Sequence, residues 1–88
     1  MVTWQIVFAN AALKDAKKVA AAGFKPKVQT LIGILKTDPF QTPPPYEKLV
    51  GDLSGAYSRR INIQRRLVYE VFEQEQVVRI LRMWTHYE

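Results

Sequence analysis

YSRRINIQRRLVYEVFEQEQVVRILRMW, residues 57–84, is the stretch whose reading decides the fold. Its β-branched and aromatic content predicts strands at 57–62, 66–72 and 77–84. The separators Ile63-Gln64-Arg65 and Glu73-Gln74-Glu75-Gln76 are hairpin-sized, so these strands are expected to be antiparallel neighbours. Leu67-Val68-Tyr69 breaks clean apolar and polar alternation, which suggests a strand covered on both faces near its middle.

Upstream, the segment 37–46 contains Pro39, Pro43, Pro44 and Pro45. Proline fixes φ and removes a backbone donor, so this segment is expected to be a stiff, extended connector rather than helix or central strand. Before it lie two helical patterns. Residues 11–22 are rich in alanine and lysine, with Leu13, Ala16 and Ala20 along one face, Asn10 placed as an N-cap and Gly23 as a stop. The second helix takes Pro26 in its first turn, sets Val28, Leu31, Ile32 and Leu35 at i, i+3, i+4 and i+7, and ends at Asp38-Pro39. Residues 4–9 alternate and read as a short strand. The expectation is a single α+β domain over 1–88, in the order β-α-α-β-β-β, with two N-terminal helices packed on one face of an antiparallel sheet.

Composition bounds the function. A chain of 88 residues has room for one modest core, since so short a chain buries only about 60% of its unfolded surface. Hydrophobic residues at 48% and charged residues at 24% are the balance of a globular domain. No run approaches the roughly 20 apolar residues of a membrane helix, and Met1-Val2-Thr3-Trp4 does not begin a signal peptide, so a cytoplasmic location without membrane contact is expected. There is no cysteine and one histidine, which removes disulfides and thiolate metal sites and disfavours a histidine-based one. The net charge of +5 favours a polyanionic partner. The charge is also segregated: every lysine lies at or before Lys48, and every arginine lies at or after Arg59. Arginine's planar fork suits bidentate phosphate contact, so the last third is where RNA is expected.

The candidate chemical groups follow from that. Glu47 comes after three prolines, and a stiff approach lowers the entropy of holding a carboxylate in place. Its plain alternative is a solvated glutamate paired with Lys48. Arg59 and Arg60 are strand neighbours and must point to opposite faces, so only one can share a face with reacting groups. Arg65 and Arg66 pose the same question across a turn, and any of the four can instead be a solvated edge residue. His86 is the sole histidine, the one side-chain type whose unperturbed titration falls near neutrality, and Tyr87 beside it can stack on an unpaired base. Trp84 reads as an anchor of the last strand.

Four sequence elements then converge. Tyr46-Glu47-Lys48-Leu49-Val50-Gly51-Asp52-Leu53-Ser54-Gly55, the strand Ser58-Arg59-Arg60-Ile61, the strand Arg66-Leu67-Val68-Tyr69 and the closing His86-Tyr87 together resemble the Txe/YoeB family of the RelE-like toxins. The match covers roughly the last half of the chain. The N-terminal half agrees in layout only.

The resemblance implies the toxin of a type II toxin-antitoxin module, an endoribonuclease that cuts messenger RNA on the ribosome with no metal or other cofactor. Carried over by position, Glu47 is the general base, Arg66 the phosphate clamp, His86 the general acid, and Tyr87 the residue that orients or stacks the substrate. Lys48, Arg59, Arg60 and Arg65 are further RNA-binding candidates. Expected partners are mRNA, the ribosome, a cognate YefM/Axe-like antitoxin whose disordered segment folds on the toxin, and a second copy in a homodimer. Two departures touch phosphate contacts. Val50 stands where relatives commonly have lysine, and Arg65 stands where a histidine often precedes the Arg-Leu-Val-Tyr strand. The competing readings are a non-catalytic inhibitor that blocks translation by occupying RNA or the ribosome, and a basic module that merely docks an acidic peptide.

Overall fold

The computed structural model describes residues 3–51 and 54–85. Its elements are β1 (Gln5–Phe8), α1 (Asn10–Ala21), α2 (Lys25–Thr37), β2 (Tyr46–Lys48), β3 (Ala56–Arg60), β4 (Arg66–Phe72) and β5 (Val77–Thr85). The strands form one sheet in the order β1-β5-β4-β3-β2. The α+β reading holds, and two details of it change.

First, the sheet is mixed. β1 lies parallel to β5, with Gln5 opposite Val77 and Phe8 opposite Ile80, while the other neighbours are antiparallel. A parallel pair needs a long crossover, and here all the intervening elements supply it. Second, there is an additional strand. As soon as the prolines end, Tyr46, Glu47 and Lys48 regain N–H donors and pair with Arg59, Ser58 and Tyr57 of β3.

The helices lie on one face of this sheet. α1 starts with Ala9 in the capping position, extended and without a side-chain cap, so Asn10 sits in the first turn rather than before it. It stops at Gly23, whose φ of 82° is the left-handed region that costs a residue without a Cβ little. The buried face of α1 is Ala12, Asp15 and Val19, while Leu13 is 52% exposed. The expected stripe of Leu13, Ala16 and Ala20 is therefore rotated, and only Ala16 packs against the core. α2 keeps its expected stripe, with Val28, Leu31 and Leu35 buried and Ile32 partly so. These side chains meet Leu67, Tyr69, Val78 and Ile80 of the sheet. Each such fully buried aliphatic contributes about 1.5–3 kcal/mol. Leu67, Val68 and Tyr69 are all at most 1% exposed, as a strand between two others and covered on both faces must be. Among the described residues, no helix is long and apolar enough to cross a membrane.

A polar clamp ties α1 to β5. Arg82 donates from Nε and Nη2 to the two Asp15 carboxylate oxygens at 2.8 and 3.2 Å, and the Met83 N–H donates to Oδ2 at 3.1 Å. Burial by itself would push the Asp15 carboxyl up. The bonds from Arg82 and Met83 and the guanidinium charge outweigh burial and hold it below its ordinary value. A carboxyl held low in the folded state adds stability above its unfolded value of about 4 and loses it as pH falls through the folded value. Asp15→Asn is therefore expected to cost about 1–3 kcal/mol at pH 7. In urea titrations, the gap between variant and wild type should narrow as pH falls below about 4; a gap unchanged at pH 3 would show that the carboxylate charge is not what binds α1 to β5.

Candidate active site

The geometry of the site begins with Arg59. Its side chain is 1% exposed and lies on the helix-facing side of β3. Nη1 donates to the Pro44 carbonyl at 2.6 Å, Nη2 to the Pro39 and Gln41 carbonyls at 2.9 Å each, and Nε to the Tyr69 hydroxyl at 3.2 Å. Tyr69 in turn donates to the Pro39 carbonyl at 3.1 Å. A segment with few N–H groups still carries carbonyls, and buried carbonyls need donors; one planar fork supplies three of them. Phe40, Tyr46, Tyr57 and Tyr69 close around this contact with ring centroids 5.3–5.8 Å apart. Burial pushes the Tyr69 phenol up, and the nearby Arg59 charge only partly opposes it, so it stays a neutral donor at physiological pH. The proline-rich segment is thus pinned to the sheet just before β2.

Strand alternation then sorts the side chains. Glu47 faces Ser58 across β2 and β3, and Arg60 faces Arg66 across β3 and β4. These four share the face turned away from Arg59, Leu67 and Tyr69. There Glu47 Oε1 lies 3.0 Å from Arg66 Nη1, which also donates to Ser58 Oγ at 3.4 Å. The Arg66 side chain is 18% exposed and that of Glu47 62%, so a preset guanidinium meets an accessible carboxylate. Both line a groove of about 390 Å³ together with Lys27, Pro44, Pro45, Ser58, Arg60 and Ile61. Since Lys27 and Ile61 belong to the helix side, the groove reaches round the end of the sheet where Arg60 and Arg66 pair. Lys27, Arg60 and Arg66 make its charge positive.

Of the residues singled out in the sequence, the fold brings Glu47, Arg60 and Arg66 together. It separates three others from them. Arg59 is corrected from an RNA-binding candidate to a buried tether, because its donors are already engaged by carbonyls and the Tyr69 hydroxyl. Lys48 follows Glu47 on a pleated strand and so turns to the opposite face, where it lines a different hollow with Leu49, Val50 and Tyr57. Arg65 sits with its guanidinium 4.5 Å above the Trp84 ring and donates to the Trp84 carbonyl at 3.2 Å, fastening the end of β5. His86 and Tyr87 lie outside the described residues. The last described residue, Thr85, is the register partner of Arg66. Sequence reasoning passed over Ser58 and Lys27. Alternation with Arg60 could have found Ser58, whereas nothing local connects a helix lysine to a groove on the sheet.

This architecture has close counterparts among known proteins. A YoeB-YefM complex from Staphylococcus aureus is matched at 30% identity and a TM-score of 0.80, over 96% of this chain and 98% of that one. A YoeB dimer from the same organism is matched at 30% identity and a TM-score of 0.82, over 97% and 99%. A YoeB toxin of Mycobacterium bovis is 41% identical over 61 residues, 69% of each chain. Fold and basic groove together place the chain in the class of small RelE-like toxins. Within that class it belongs to the YoeB-like toxins of bacterial type II toxin-antitoxin systems, whose family pattern matches residues 8–87.

The contrast between neighbouring arginines is testable by chemical denaturation. Arg59→Lys keeps the charge but loses the fork, and is expected to cost about 3 kcal/mol. Arg60→Gln, on the exposed face, should stay within about 0.5 kcal/mol of wild type. Equal costs for the two would contradict the tether.

Proposed function

We propose that this toxin is a ribosome-associated endoribonuclease, acting in the cytoplasm on messenger RNA by in-line attack of the RNA's own 2′-hydroxyl. The observation that carries the reading is the accessible Glu47 carboxylate set 3.0 Å from a partly buried Arg66 in a positive groove. The 2′-hydroxyl is a poor nucleophile until a base takes its proton, the phosphorane gains negative charge, and the leaving 5′-oxygen needs a proton. Glu47 accepts the first proton as the O2′–P bond forms. Arg66 holds the phosphate and its growing charge; a phosphate arriving in the groove competes for the guanidinium and releases the carboxylate from its ion pair. His86 gives its proton to the 5′-oxygen as the P–O5′ bond breaks, leaving a 2′,3′-cyclic phosphate and a 5′-hydroxyl. Tyr87 stacks on or orients the substrate base. The register of Thr85 with Arg66 supports these two roles, since β5 delivers the chain to the level of the clamp. Three side chains fill the three roles without calling on a metal.

The same reading assigns the partners. One S. aureus relative is seen with YefM and another as a dimer. We infer for this chain a cognate YefM/Axe-like antitoxin, whose acidic or amphipathic segment folds over the basic surface, and a homodimer in its absence.

The test is cleavage of a defined mRNA on programmed ribosomes. Glu47→Gln is expected to lower the rate by about 10²–10⁴-fold, His86→Gln by a similar factor, and Arg66→Gln by about 10²–10³-fold, with the fold intact. If Glu47→Gln cuts as fast as wild type, the base is assigned wrongly. Translation blocked without any cut would replace the nuclease by an occupancy inhibitor.

A further inference from the structure

The groove holds more positive charge than the assigned chemistry uses. Arg66 is engaged by Glu47 and Ser58, whereas among the described residues neither Lys27 nor Arg60 makes an ion pair. Arg60 stands beside Arg66 in register and extends the same patch. Lys27 is different, because it is the one lining residue contributed by the helical layer. It lies in the first turn of α2, where there is no acidic side chain and where a lysine faces the positive end of the helix dipole. Such a position is unfavourable for a cation until an anion arrives. The side chain is exposed, and its flexible four-carbon stem carries a point charge suited to a phosphate oxygen. Nothing comparable comes from Val50, which is 84% exposed and lines the other hollow.

We propose that Lys27 is a substrate-binding residue of the nuclease, contacting an RNA phosphate that flanks the one held by Arg66. The inference rests on the nuclease reading of the groove and deepens it: the RNA backbone runs from the sheet face onto the N-terminal turn of α2, past the wall made by Pro44 and Pro45. Lys27 would act on binding, so its loss should raise KM and leave kcat nearly unchanged.

The experiment measures affinity for a single-stranded oligoribonucleotide, 2′-O-methylated throughout so that it cannot be cut, over a range of salt concentrations. Lys27→Gln is expected to weaken binding roughly two- to fivefold near physiological salt. It should also lower the slope of log K against log salt by about 0.7, the value of one single-strand phosphate contact. Lys27→Arg should keep both. Lys14→Gln removes the same charge from α1, away from the groove, and should change neither by more than the general loss of one positive charge. A Lys27→Gln protein indistinguishable from Lys14→Gln, or wild type with no detectable binding, overturns the proposal. Because the readout needs no cleavage, its failure is distinguishable from failure of the nuclease reading, which the ribosome assay decides.

Discussion

Arg59 is the contact on which the positioning of the groove depends. A guanidinium that is 1% exposed has lost nearly all its water, a cost of several kcal/mol that only well-aimed acceptors offset. The acceptors here are backbone carbonyls of Pro39, Gln41 and Pro44, which the proline-rich segment cannot satisfy from its own depleted N–H groups. Each party therefore meets a need the other creates. The result is a rigid approach to β2, and β2 carries Glu47. For the general-base role proposed for Glu47, such a support lowers the entropy of holding the carboxylate in place.

From that support outward, the pleat divides the work between neighbours. Arg59 goes inward and Arg60 outward; Glu47 enters the groove and Lys48 leaves it; Arg65 fastens Trp84 and Arg66 takes the carboxylate. A slip of one residue in the β2–β3 or β3–β4 register would exchange every member of these pairs. The aromatic cluster of Phe40, Tyr46, Tyr57 and Tyr69, which spans β2, β3 and β4, opposes such slips. Fold stability and groove geometry thus draw on the same arginine-rich strands.

Much of this was legible in the residues. The 57–84 pattern yields β3, β4 and β5 nearly to their ends, and the apolar stripe of α2 is the observed one. What escaped did so for physical reasons. β2 is three residues long and adjoins the prolines, too short for alternation to register. The pairing of β1 with β5 joins opposite ends of the chain, and local pattern carries no information on it. α1 was misread because a charged residue, Asp15, occupies its buried face, and its partner is 67 positions away. In the site, alternation showed that Arg59 and Arg60 must differ without saying which is buried, since that depends on carbonyls supplied by another segment. The same limit hid Lys27, whose place in the groove exists only once α2 is packed on the sheet. The roles of Glu47 and Arg66 come from resemblance, and the structure sets the two side chains 3.0 Å apart.

The central claim is that the groove activates a 2′-hydroxyl. The most direct test is the chemistry of the ends left on mRNA cut on programmed ribosomes, read by mass spectrometry. The account predicts a 2′,3′-cyclic phosphate, or the 3′-phosphate it opens to, and a 5′-hydroxyl, with no cut where the nucleotide before the scissile bond is 2′-deoxy. A 3′-hydroxyl with a 5′-phosphate, or undiminished cutting at the deoxy site, would contradict it.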